Sequence, residues 1–188
     1  MIDVTLTYIR DLLNEHFRNE FSISENKVVL SNIVKPDGSE AQNVSGKIVF
    51  FLVGLEEEST LKNSINRNQH SGGGAYAYRS SSLPVNLRLL FCSNFDSNIY
   101  IEGLSYLSAL VRFFHANKRI PLDIPNSNSP KYISFELCSL GYDELSHLWS
   151  AIGSKLMPSV LYKAGVVMHD DISIQKITPA VSKPETAN

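Results

Sequence analysis

"KIVFFLVGLEEE", Lys47 to Glu58, is the stretch on which the architecture turns. Ile48 to Leu55 is a nearly continuous apolar run, and three acids, Glu56, Glu57 and Glu58, end it abruptly. A strand with one wet face alternates apolar and polar residues, whereas a strand covered on both faces does not. The run therefore predicts a central strand with cover on each side.

The flanking segments supply that cover. Towards the C-terminus, "LPVNLRLLFCSNF" is a second strand, with Val85, Leu87, Leu89 and Phe91 on one face and Asn86, Arg88, Leu90 and Cys92 on the other. Asp96 or Ser97 then caps a helix from Asn98 to about His115, striped by Ile101, Leu104, Leu107, Val111 and Phe114. After the proline-bounded loop "IPLDIPNSNSP", the strand "YISFEL" turns Ile133, Phe135 and Leu137 inward. Asp143 reads as the cap of a short helix carrying Leu145, Leu148, Trp149 and Ile152, which Gly153 ends. Pro158 introduces a last long strand with Val160, Tyr162, Ala164, Val166 and Met168 on one face.

Towards the N-terminus, Ile2, Leu6, Ile9, Leu13 and Phe17 recur at helical spacing, with Arg10, Asn14 and Arg18 opposite. That helix is expected to fade by Asn19. "KVVLSNIV" is extended and "KPDGSE" is a turn built on Pro36 and Gly38. The polar segment Thr60 to Ser82, with Gly72, Gly73 and Gly74, is a long functional loop or a projecting hairpin. The order predicts an α/β (α+β) sandwich, helices on a mostly antiparallel or mixed sheet of four to five strands. Residues 1–171 form a single domain in this reading, and 172–188 a flexible C-terminal tail.

Composition narrows the function. The 188 residues are 43% hydrophobic, enough for a substantial core without metal or disulfide help. The net charge is -2 and the 17 basic residues are scattered, which argues against a nucleic-acid partner. Cys92 and Cys138 sit in apolar strands and read as reduced thiols. No basic leader precedes an apolar run, and no stretch reaches the ~20 apolar residues of a membrane span. The expectation is synthesis and folding in the cytoplasm, without a membrane partner.

Motifs for chemistry are weak. The three glycines lack the lysine and following helix of a phosphate loop. The five histidines show no HExxH spacing, there is no GxSxG elbow, and His169-Asp170-Asp171 reads as a solvated strand end. Asp143, Glu144 and His147 share one helical end, where acids favour the helix dipole and an i, i+4 pair needs no catalytic explanation. No catalytic, cofactor, metal or small-molecule site is expected. A small hydrolase using His147 or His169 is the enzymatic alternative.

The block "SFELCSLGYDELSHLWSAIGSKLMPSVLYKAGVVM" resembles the characteristic region of the tube-terminator, or cap, proteins of contractile phage-tail-like injection particles of the antifeeding-prophage type. Glu144-Leu145, Leu148-Trp149, Gly153, Pro158-Ser159-Val160 and Tyr162 carry the likeness, with Leu148, Trp149, Gly153, Pro158 and Tyr162 as its structural signature. "VVLSNI", "VFFLVGLEEESTLKN" and "PVNLRLLFCSNFDSNIYIEGLSYLSALVRFFHAN" resemble further blocks, so the likeness covers about Val4 to Met168. Met157 departs from it, standing where an aromatic residue is common, and the 60–82 loop has no counterpart. The resemblance implies a non-enzymatic protein similar to phage tail terminators. Such a protein forms a homo-hexameric ring on the completed inner tube, halts its growth, fixes particle length and joins the sheath. It would assemble in the cytoplasm and leave as part of an extracellular particle. Its expected partners are itself, the inner tube protein and the sheath protein. Polarity and predicted exposure mark Glu56, Glu57, Glu58, Arg67, Tyr76, Tyr78 and Arg79 as partner contacts. A sheath-side or baseplate adaptor of the same particle is the alternative.

Overall fold

The computed structural model describes residues 1–58, 76–77, 83–122, 131–168 and 177–178. The chain divides into two compact units, one of Met1–Glu56 with Asn86–Val166 and one of Glu57–Val85 with Val167–Asn188. The elements run α1 (Ile2–Phe21), β1 (Val28–Leu30), β2 (Lys47–Glu57), β3 (Tyr76–Ala77), β4 (Leu83–Asn94), a 3-10 turn (Ser97–Ile99), α2 (Tyr100–Ala116), β5 (Arg119–Leu122), β6 (Lys131–Cys138), α3 (Tyr142–Ile152), β7 (Ser159–Met168) and β8 (Ile177–Thr178).

The main sheet is mixed and six-stranded, in the order β1-β2-β4-β7-β6-β5. The expected α+β class holds, with six strands where four or five were expected. β1 runs parallel to β2, pairing Val28 with Ile48. β6 is antiparallel to β5 and to β7. β2 and β4 are also antiparallel, because Gly46 donates to the Asn94 carbonyl and Glu58 to that of Pro84. The strand missed from the sequence is β5, which runs into the stretch read as the proline-bounded loop "IPLDIPNSNSP": four residues, one of them Pro121, carry too little alternation to read.

The first half of β2 is the buried centre that its sequence predicts. Ile48, Val49 and Phe50 are wholly enclosed. Beyond them the prediction needs correction, since Val53 and Leu55 are 37% and 49% exposed. On one face, α1 and α2 close over an aromatic core. Phe50 stacks on Phe91 at 4.9 Å, and Phe114 of α2 meets Phe135 at 4.2 Å and Tyr162 at 4.8 Å. On the other face, α3 and the segment after β1 cover Val49, Leu90, Cys92 and Leu161.

The helices depart from their predicted faces in instructive ways. α1 continues to Phe21 and ends on Ser22 in the left-handed region. Asn14, expected on its wet side, is buried at 3% exposure. In α2 the buried residues are Gly103, Tyr106, Leu107, Ala109, Leu110 and Phe114, while Ile101 is 73% exposed. Gly103 sits at a close approach: a Cβ on it would lie 2.5 Å from Ser93 Oγ. Leu137, expected inward, is 52% exposed near the end of β6. The turn at Pro36 and Gly38 forms as expected, with Gly38 at φ +80 and the Lys35 carbonyl accepting its N–H.

In the second unit, β3 and β8 pair antiparallel, Tyr76 opposite Thr178 and Ala77 opposite Ile177. β8 thus lies within the segment 172–188 that was read as a tail.

Candidate assembly surface

The signature residues are structural parts, and the geometry gives each a reason. Gly141, extended at φ -64 and ψ 160, is the N-cap of α3, in place of the expected Asp143. Glu144 Oε2 accepts the Gly141 N–H at 2.8 Å, the half of a capping box that a glycine cap permits. Gly153 closes the helix at φ +75, where its N–H reaches the Trp149 carbonyl at 3.1 Å. Between these stops, Trp149 is 3% exposed in a cluster with Val49, Leu90 and Cys92. Leu145, Leu148, Ile152 and Met157 pack around that cluster, so Met157 does the apolar work of the aromatic residue it replaces. The Pro158 carbonyl accepts Ser93 N–H at 2.8 Å, which docks the start of β7 on β4. Tyr162 stands in the aromatic core, and burial pushes its phenol above the ordinary value.

The polar residues of α3 stand at the surface. Asp143, Glu144 and His147 are all exposed, and neither Asp143 nor His147 makes a side-chain bond among the described residues. His169, Asp170 and Asp171 lie outside the described residues. Among the described residues no group of three His, Cys, Asp or Glu side chains could hold a metal ion. Both cysteines are free, and burial alone pushes the Cys92 thiol well above the usual range.

Of the expected contact residues, Glu56 is the one whose side-chain geometry is clear. Arg88 Nε donates to Glu56 Oε1 at 2.7 Å, and that bond raises the guanidinium. With both side chains more than a third exposed, the pair contributes little stability and serves better as an oriented polar feature. Val53 and Leu55 present apolar area on the same strand. Sequence reasoning missed them by extending the buried core through the whole run. Glu57 and Glu58 have interactions of their own. The side chain of Tyr76, on β3, is undescribed, and Arg67, Tyr78 and Arg79 lie outside the described residues. A second exposed apolar strip, Tyr100, Ile101 and half-buried Leu104, lies on α2 beside Phe21. No helix among the described residues is long and apolar enough to cross a membrane.

These features define an α+β protein with cover on both faces of a mixed sheet and exposed apolar and charged residues. The chain belongs to the Pvc16 N-terminal domain family, whose model matches residues 4–183. The fold is similar to that of the tube-terminating cap of the anti-feeding prophage, with a TM-score of 0.52 and 16% identity over 95% of this chain. It is also similar to the sheath/tube terminator, in the extended state, of an extracellular contractile injection system, with a TM-score of 0.57 and 13% identity over 94% of this chain. The chain spans 60% and 63% of the lengths of those two proteins. No curated protein matches the sequence.

Proposed function

We propose that this chain is a terminator of a contractile injection particle. It closes into a homo-hexameric ring on the end of the inner tube, stops its growth and joins the sheath. The observation that carries the reading is family membership across residues 4–183, supported by the fold it shares with two terminators. The chemistry agrees. A ring subunit needs a stiff body and complementary patches, and a head-to-tail contact whose rotation closes gives a ring instead of a filament. No catalytic step is part of this role, and no nucleic acid, membrane or small molecule is a partner. Residues 1–171 act as the terminator domain, and residues 172–188 as its tail. Glu56, Glu57, Glu58, Arg67, Tyr76, Tyr78 and Arg79 meet neighbouring subunits, tube or sheath. Assembly takes place in the cytoplasm, and the particle acts outside the cell.

Electron microscopy of the purified protein, alone and with tube fragments, tests this. Closed rings on tube ends are expected, and deleting the gene is expected to leave tubes of uncontrolled length. A protein that stays monomeric at high concentration and ignores tube ends would overturn the reading. Particles that keep their length but lose their baseplates would replace it with the adaptor role.

A further inference from the structure

A six-stranded sheet has two open edges, and open edges template unwanted strand addition. Here both are met by side chains of α1. At β1, the bonds Ile48 N–H to the Lys27 carbonyl and Ser31 N–H to the Phe50 carbonyl face the sheet, so the backbone groups of Val28 and Leu30 point outward. Asn14 binds both groups of Val28: Oδ1 accepts its N–H at 2.9 Å, and Nδ2 donates to its carbonyl at 2.9 Å. Nδ2 also donates to the Arg10 carbonyl at 3.0 Å. A buried amide in mid-helix is costly unless satisfied, and these partners satisfy it. At β5, Phe135 N–H bonds the Lys118 carbonyl, which turns the groups of Arg119 and Pro121 outward. Pro121 has no N–H, and its carbonyl accepts the Tyr8 hydroxyl at 2.9 Å.

Laid flat, six strands would set their outer members about 24 Å apart. A helix with its side chains is only about 10–12 Å across, and Tyr8 and Asn14, six residues apart, are separated by only about 9 Å along its axis. One helix reaching both edges means that the sheet of this unit curls around α1.

We infer that Asn14 and Tyr8 are edge guards, which keep the sheet from being extended by a strand of a second copy of this chain. Chains then meet through faces and loops. The inference does not depend on the ring reading, because closed rings are bounded in size whereas templated strand addition is not.

The test uses the full chain with Asn14→Leu, Tyr8→Phe and the double variant, read by sedimentation velocity and thioflavin T fluorescence. Asn14→Leu is expected to begin open-ended, thioflavin-positive growth at a roughly tenfold lower concentration than wild type, the factor equal to about 1.4 kcal/mol. Tyr8→Phe is expected to add to that effect. Adding Leu30→Pro to Asn14→Leu should restore wild-type behaviour, since it removes an outward N–H of the same edge and leaves the β2 ladder intact. Unchanged growth in Asn14→Leu, or growth that Leu30→Pro does not suppress, would overturn the inference. If circular dichroism shows Asn14→Leu unfolded, Asn14→Asp is judged by the same two criteria. It keeps the acceptor for Val28 N–H and loses the donor to the carbonyl.

Discussion

Trp149 is the residue on which one side of the molecule rests. It is the largest side chain in the cluster that joins α3 to β2, β4 and β7. Truncating it to alanine should cost ~3–5 kcal/mol, the range for a buried aromatic, measured by urea denaturation. His147, two residues earlier, is exposed and makes no side-chain bond among the described residues, so His147→Ala should change stability by no more than about 0.5 kcal/mol. It should also leave ring formation intact. A loss of function confined to that variant would revive the hydrolase alternative. Cys92 is enclosed, and its thiol is pushed up by burial, so the reactive thiolate is scarce at neutral pH. An aromatic disulfide reagent should label at most Cys138 in the native protein, and Cys92 only after unfolding.

At the scale of elements, two glycines set where helices stop and how closely they approach. Gly153 ends α3 at φ +75, a conformation that costs an L-residue roughly 1–2 kcal/mol. Gly153→Ala should therefore lower the denaturation midpoint by a corresponding amount, although no atom of the described residues stands in the way of the new methyl. Gly103 is the opposite case. Its conformation is helical, and alanine would ordinarily favour the helix by about 1 kcal/mol. Here the added Cβ meets Ser93 Oγ and the Phe95 ring, so Gly103→Ala should destabilise. Pairing it with Ser93→Gly should recover part of the loss, since that change removes the nearer obstacle.

At the scale of the whole molecule, the proposed role rests on how subunits meet. Val53 and Leu55 on β2 offer one exposed apolar strip. Leu55→Glu is expected to reduce ring formation in electron micrographs while the circular dichroism spectrum stays unchanged. Rings formed as readily as by wild type would remove this strip from the interface.

Much of this protein is decided locally. The periodicity of Leu6, Ile9, Leu13 and Phe17, the unbroken run at Ile48 to Phe50, the alternation from Val85 to Cys92 and the stop at Gly153 each state their element in their own chemistry. The signature around Trp149 is likewise legible, because a helix with its cap, apolar face and terminator is written in consecutive residues. Tertiary structure decided the rest. Nothing near Asn14 in the sequence announces that β1 needs an edge partner, since that requirement arises only when Val28 arrives. Gly103 stands where Ser93 and Phe95 leave no room for a side chain. The edge strand β5, four residues long, exists through pairing and not through pattern. Hydrophobic periodicity reports which residues avoid water, whereas edges, close approaches and outward backbone groups are relations between distant segments.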